Sequence, residues 1–232
     1  MRDKEEWLDY RFMPEPNLPP LRLQEEYVES LRIKVPIPPE NTREKWIADY
    51  GVPPGDALFI YANGDVRKYF ESCLNCLEER RDIGPLVTHW MMYELRVRLN
   101  NDGFSMDDSP VTPGRFCELC FLLFEAKITE PACKHVLYLM RQADSNAQQQ
   151  SAKEIIDGLS IWRITDEPSL FQLCAQLTEE EEAVLRSYVD TGRRKLLHRV
   201  VLSICRRNSQ RIAFEDAERV LMQIATEKKY KE

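Results

Sequence analysis

Between Val66 and Leu77 the apolar positions are Val66, Tyr69, Phe70, Cys73, Leu74 and Leu77, with polar residues filling the gaps. That i, i+3, i+4, i+7 spacing predicts an amphipathic helix with one buried stripe. A second helix is predicted from about Pro85 to Asn100, opened by a proline and closed near Asn101-Asp102-Gly103, with Trp90, Met91, Leu95 and Leu99 inward. Ser109-Pro110-Val111-Thr112-Pro113 begins a third, whose Phe116, Leu119, Leu122 and Leu123 face the core, and Thr129 caps a fourth carrying Cys133, Val136, Leu137 and Met140. Upstream, a charged helical stretch from Gln24 to about Asp49 is broken by Pro36, Pro38 and Pro39. There Thr42 is expected to cap a new helix, followed by a Gly51 stop and a Pro53-Pro54-Gly55 turn.

Asp144 to Ser151 reads DSNAQQQS and lacks any large apolar residue, so it is expected to separate two units. Beyond it the pattern predicts short helical pieces around Ile155, Phe171 and Leu185, then stronger helices at about Arg193 to Arg207 and Glu215 to Lys229. At the other end, Pro14, Pro16, Pro19 and Pro20 fix their own φ and push their neighbours towards extended backbone, which forbids a helix there. The expected fold is therefore mainly α: an extended proline-rich strip over 1–23, a multi-helix domain over 24–143, a linker at 144–151 and a smaller helical tail domain over 152–232.

Composition agrees with a helical body. The 232 residues are 43% hydrophobic, enough for a real core, and hold only 8 glycines and 14 prolines, the prolines crowded at or before Pro54. No apolar run approaches the roughly 20 residues needed to span a bilayer, which predicts a soluble chain without a membrane partner. Met1 to Glu6 includes three acids, unlike a secretory signal or an Arg-rich transit peptide. Seven cysteines, an odd number, fit free thiols in a reducing compartment better than a disulfide frame.

Enzymatic signatures are missing: there is no GxxxxGK[ST] phosphate cradle, GxSxG elbow or HExxH pair, and His89, His135 and His198 fall in separate predicted helices. Cys73-Leu74-Asn75-Cys76 and Cys117-Glu118-Leu119-Cys120 have the count of a zinc site. Both lie in helical apolar stripes and not on glycine-containing knuckles, so they are expected to act as small hydrophobes, with neither metal nor redox use. Glu179 to Glu182 point in different directions on a helix and cannot converge on one ion; they are expected to form a solvated first turn.

A net charge of −7 argues against the whole surface being a nucleic-acid footprint, so any RNA contact must be local. One place is suitable. Along the predicted helix from Arg193, Leu196, Leu197, Val200, Val201 and Ile204 make the core stripe, while Lys195, Arg199 and Arg206 share another face and Arg193, Arg194, Arg207 and Arg211 extend it. The same face also fits an ordinary solvated helix surface, and the sequence pattern alone leaves both readings open.

Asp9-Tyr10-Arg11-Phe12-Met13-Pro14-Glu15-Pro16-Asn17-Leu18-Pro19-Pro20 resembles the DYRYFPEPDLPP motif found in the B subunit of the Asp/Glu-tRNA amidotransferase family, with Phe12, Met13 and Asn17 departing from it. The resemblance continues through the SPVTP start, the AKIT turn at Ala126 to Thr129 and the basic C-terminal helices, and is most like the animal mitochondrial form. It implies that 1–23 is the end of a catalytic domain, that 24–143 and a YqeY-like tail grip tRNA, and that Arg11 and Glu15 border a phosphorylating pocket. It further implies partnership with tRNA(Gln) and with the A and C subunits of the amidotransferase, but not DNA, and a mitochondrial location. ATP and Mg2+ would serve the full-length family protein, with no cofactor or metal expected for this chain alone. The family reaction converts Glu-tRNA(Gln) to Gln-tRNA(Gln) with glutamine as ammonia donor; the competing expectation is a stand-alone YqeY-like module that binds tRNA or protein without catalysis.

Overall fold

The structure, a computed structural model, describes residues 17–77, 80–142, 150–178, 181–208 and 210–229. The expected extended strip lies mostly outside them; its described part, 17–23, is exposed and contains no helix or strand. Residues up to Pro38 form one unit, whose single described helix, α1 (Glu25–Lys34), buries no side chain. It has acids in its first turn and bases in its last, an arrangement favoured by the helix dipole.

In the second unit, from Pro39 onwards, the regular elements among the described residues are all helices. Its first helix, α2 (Pro39–Tyr50), starts on Pro39, so Thr42 lies inside it and does not cap it. The reason is that a proline at the first helical position needs no hydrogen-bond partner for its nitrogen. The chain leaves α2 through Gly51 at φ +63°, where the Gly51 N–H returns to the Ile47 carbonyl. Pro54 then opens α3 (Pro54–Ala62), a helix where the sequence pattern suggested only a turn.

α4 (Gly64–Leu77) buries Val66, Tyr69, Phe70, Cys73 and Leu77, as its periodicity requires. A 3-10 turn (Arg81–Ile83) leads into a continuous helical stretch of α5 (Gly84–His89), a π-helical segment (Trp90–Leu95) and α6 (Arg96–Asn101). Trp90, Met91, Leu95 and Leu99 are all buried, and Met92 joins them. α7 (Pro113–Phe124) and α8 (Glu130–Arg141) follow; in α8 the Thr129 hydroxyl accepts from the Ala132 N–H at 3.3 Å, the expected cap. α4 packs on α7 more extensively than any other two helices among the described residues, and the Tyr69 hydroxyl donates to the Val111 carbonyl at 2.8 Å beside that seam.

The expected boundary at 144–151 lies outside the described residues apart from Gln150 and Ser151. Ser151 and Glu154 form a reciprocal capping box that starts α9 (Ala152–Leu159), whose Ala152, Ile155 and Ile156 enter the same apolar cluster as α2 to α8. A second cluster is built by α10 (Glu167–Thr178), α11 (Glu182–Thr191), α12 (Arg194–Asn208) and α13 (Phe214–Lys229) around Leu170, Leu185, Val200, Ile204, Leu221 and their neighbours. Polar contacts join the two clusters. The Arg163 N–H donates to the Lys127 carbonyl at 3.0 Å, the Thr129 hydroxyl to the Gln210 carbonyl at 3.1 Å, and Arg163 pairs with Asp216 at 2.6 Å.

Candidate nucleic-acid interface

α12 carries the site because its two faces are chemically opposite. Leu197, Val200, Val201 and Ile204 are buried in the second cluster, which fixes the rotation of the helix and turns Lys195, Arg199 and Arg206 to solvent. These three line one open groove of about 450 Å³, together with His198, Leu202 and Arg207. Among the described residues its wall holds a single carboxylate, Glu181, which accepts from the Ser203 hydroxyl at 3.1 Å.

Charge is therefore unbalanced here. Among the described residues, the side chains of Arg193, Arg194, Lys195, Arg199 and Arg206 have no ion-pair or hydrogen-bond partner, whereas most of the protein's other internal cations are engaged, as Arg163 is with Asp216. Guanidinium and ammonium groups left unpaired along a groove favour anions, and bidentate guanidinium geometry suits phosphate oxygens. Placing cations at the start of α12 also opposes the helix dipole, so fold stability does not explain them.

The structure brings Lys195, Arg199, Arg206 and Arg207 to one groove; Arg193 and Arg194 are exposed near the start of the helix without lining it. His198 and Leu202 were missed by charge-based reading. Their spacing was the available signal, since 195, 198, 199, 202 and 206 form one i, i+3, i+4, i+7, i+11 stripe. The His198 ring sits 5.1 Å from that of Phe214, tilted, giving the groove an aromatic edge.

Arg11 and Glu15 lie outside the described residues. Among those that are described, no three His, Cys, Asp or Glu side chains converge in a way that would hold a metal, and no helix is long and apolar enough to cross a membrane. Glu182 stands in the first turn of α11, while Glu179 and Glu180 are outside the described residues.

Comparison with known proteins adds a family. The GatB domain family, GatB_Yqey, matches residues 68–224, which contain the whole groove. Three curated relatives are each named as the B subunit of an aspartyl/glutamyl-tRNA(Asn/Gln) amidotransferase. The protein of Caldanaerobacter subterraneus is 32% identical over 197 residues, covering 85% of this chain and 39% of that protein. That of Anaplasma marginale is 31% identical (85% and 38%), and that of Thermotoga maritima 28% identical over 195 residues (84% and 38%). The chain thus spans under two-fifths of the length of these relatives.

Proposed function

Since the chain belongs to the GatB domain family, we propose that it is the tRNA-binding C-terminal part of an amidotransferase B subunit, with the α12 groove as its phosphate-binding surface. The observation that supports this most is the row of Lys195, Arg199 and Arg206, cations without a partner among the described residues, in a protein whose net charge is −7. A groove of this kind contacts the backbone of a folded RNA and fixes its position without reading bases. Leu202 and the His198 ring would pack against sugar or an unstacked base at the same surface.

The chemistry proposed for the whole protein is amide formation on misacylated Glu-tRNA(Gln), driven by ATP and using ammonia supplied by the A subunit, with the C subunit in the complex. Arg11 and Glu15 are proposed to border the phosphorylating pocket, with no chemical step assigned to either. A mitochondrial location is proposed from the sequence resemblance alone; the three relatives above are bacterial.

One observation favours the second reading, a stand-alone YqeY-like module without catalysis: residues from Pro39 onwards make a compact unit with its own apolar cores. The genomic sequence upstream of the codon for Met1 separates the two. In-frame coding sequence for a catalytic domain, headed by an Arg-rich, acid-poor leader, supports the amidotransferase part in a mitochondrion; stop codons there support the module. tRNA binding is common to both, and is measured by filter binding of the purified chain at low salt. Retention of labelled tRNA, cognate and non-cognate alike, is the expected result; no retention would reject the groove's assignment.

A further inference from the structure

The unit up to Pro38 exposes more apolar surface than its length accounts for. Eight of the eighteen exposed large apolar side chains among the described residues lie between Leu18 and Ile37. α1, the single described helix of that unit, has ten residues and buries no side chain. A helix shorter than about 12–15 residues is marginal in water without packing, so α1 needs a partner surface to persist. The face it offers is ordered: Tyr27, Leu31 and the C-cap Val35, at i, i+4 and i+8, are exposed along one stripe, with half-buried Val28 at its edge.

Charge on the same helix selects the partner. Glu25, Glu26 and Glu29 occupy its first half and Arg32 and Lys34 its second. Glu25 and Arg32 are seven residues apart, so they stand on one flank of the apolar stripe towards opposite ends of the helix. A second copy lying antiparallel about a two-fold axis at Glu29 sets Tyr27 against Leu31, Leu23 against Val35, and Glu25 beside Arg32, with every one of these contacts made twice. A parallel copy would bring acid to acid and base to base. Within the single chain Arg32 pairs with Glu29 on its own helix, an exposed pair of the kind worth little. Glu25, Glu26 and Lys34 have no ion-pair partner among the described residues.

We propose that α1 is a self-association element, which pairs antiparallel with α1 of a second copy of this chain. Ten residues of helix are about 15 Å long, so the interface falls below the roughly 800 Å² per partner of a standard complex. The dimer is therefore weak and concentration-dependent. Tyr27 and Leu31 anchor its centre and exclude water, and the two Glu25–Arg32 pairs fix direction and register. This association is independent of what binds along α12.

The test is sedimentation equilibrium of the intact 27.3 kDa chain between about 1 and 200 µM, a range that covers weak association. The expected result is a monomer–dimer equilibrium. Leu31→Asp, at an exposed position outside both apolar cores, should abolish the dimer and leave the thermal midpoint unchanged. Glu25→Arg and Arg32→Glu, which each set like charges side by side in an antiparallel pair, should separately weaken the dimer about tenfold. Mixed together, those two variants should associate to within about threefold of the wild-type constant, because every Arg then meets a Glu on the other copy. A monomer at every concentration would assign the stripe to another partner and overturn the proposal. A dimer that tolerates Leu31→Asp, or a mixture no tighter than either charge variant alone, would overturn it as well.

Discussion

At the scale of single residues, close approach governs more than hydrophobicity does. Gly84 is helical with an ordinary negative φ, and yet a Cβ there would strike the carbonyl oxygen of Tyr50 and lie 2.8 Å from the Tyr50 Cβ. Replacing a helical glycine by alanine ordinarily stabilises by about 1 kcal/mol. Gly84→Ala should instead destabilise by about 1–3 kcal/mol through overpacking, read as a lower urea midpoint. A higher midpoint would mean that α2 and α5 separate easily at this point. Thiols differ in the same local way: burial pushes the Cys174 thiol up to about 11, so it should resist alkylation at neutral pH until the chain unfolds.

At the scale of elements, Thr129 does two jobs with one hydroxyl, accepting from the Ala132 N–H to cap α8 and donating to the Gln210 carbonyl across the seam between the clusters. Thr129→Ala should cost about 1–2 kcal/mol of stability, the upper part of the range for a lost cap, because a second bond goes with it. Thr129→Asn, which can cap but reaches differently, should recover part of the loss in the same denaturation experiment. The cap was legible in the sequence because a threonine before an apolar period has few other uses, and α4, α7, α8 and α12 were legible because their stripes are regular over three turns or more. α3 was not. Its Pro53-Pro54-Gly55 start reads equally as a turn, and only packing of Ala57 and Ile60 into the core decides for a helix. The π-helical segment was also hidden, since buried Trp90, Met91 and Met92 are consecutive and a 3.6-residue period gives no warning that the helix widens to bring all three inward. At the basic groove, charge identified Lys195, Arg199, Arg206 and Arg207; His198 and Leu202 lie on the same helical stripe but carry no fixed charge to mark them, and Ser203, off that stripe, required the position of α12 against its neighbours.

At the scale of the whole molecule, the polar stretch 144–151 and the packing of α9 make separate demands. Limited proteolysis is expected to cut first within 144–151, which offers no large apolar side chain to bury. The pieces should nevertheless co-elute, because Ala152, Ile155 and Ile156 stay inserted in the first core and Arg163, Asp216 and Gln210 bridge to the second. First cleavage inside α4 would contradict that organisation. The central claim concerns the second core, which holds α12 so that its cations face outwards as a phosphate-binding surface. It is tested by tRNA affinity as a function of salt for the chain and for its Lys195→Ala, Arg199→Ala, Arg206→Ala triple variant, with circular dichroism to verify the fold. Exposed substitutions of this kind change stability by only about 0.5 kcal/mol, so helicity should persist. The slope of log affinity against log salt should shrink by roughly one unit for each phosphate contact removed, equally for cognate and non-cognate tRNA. An unchanged slope in a folded variant would make α12 an ordinary solvated face and contradict the account.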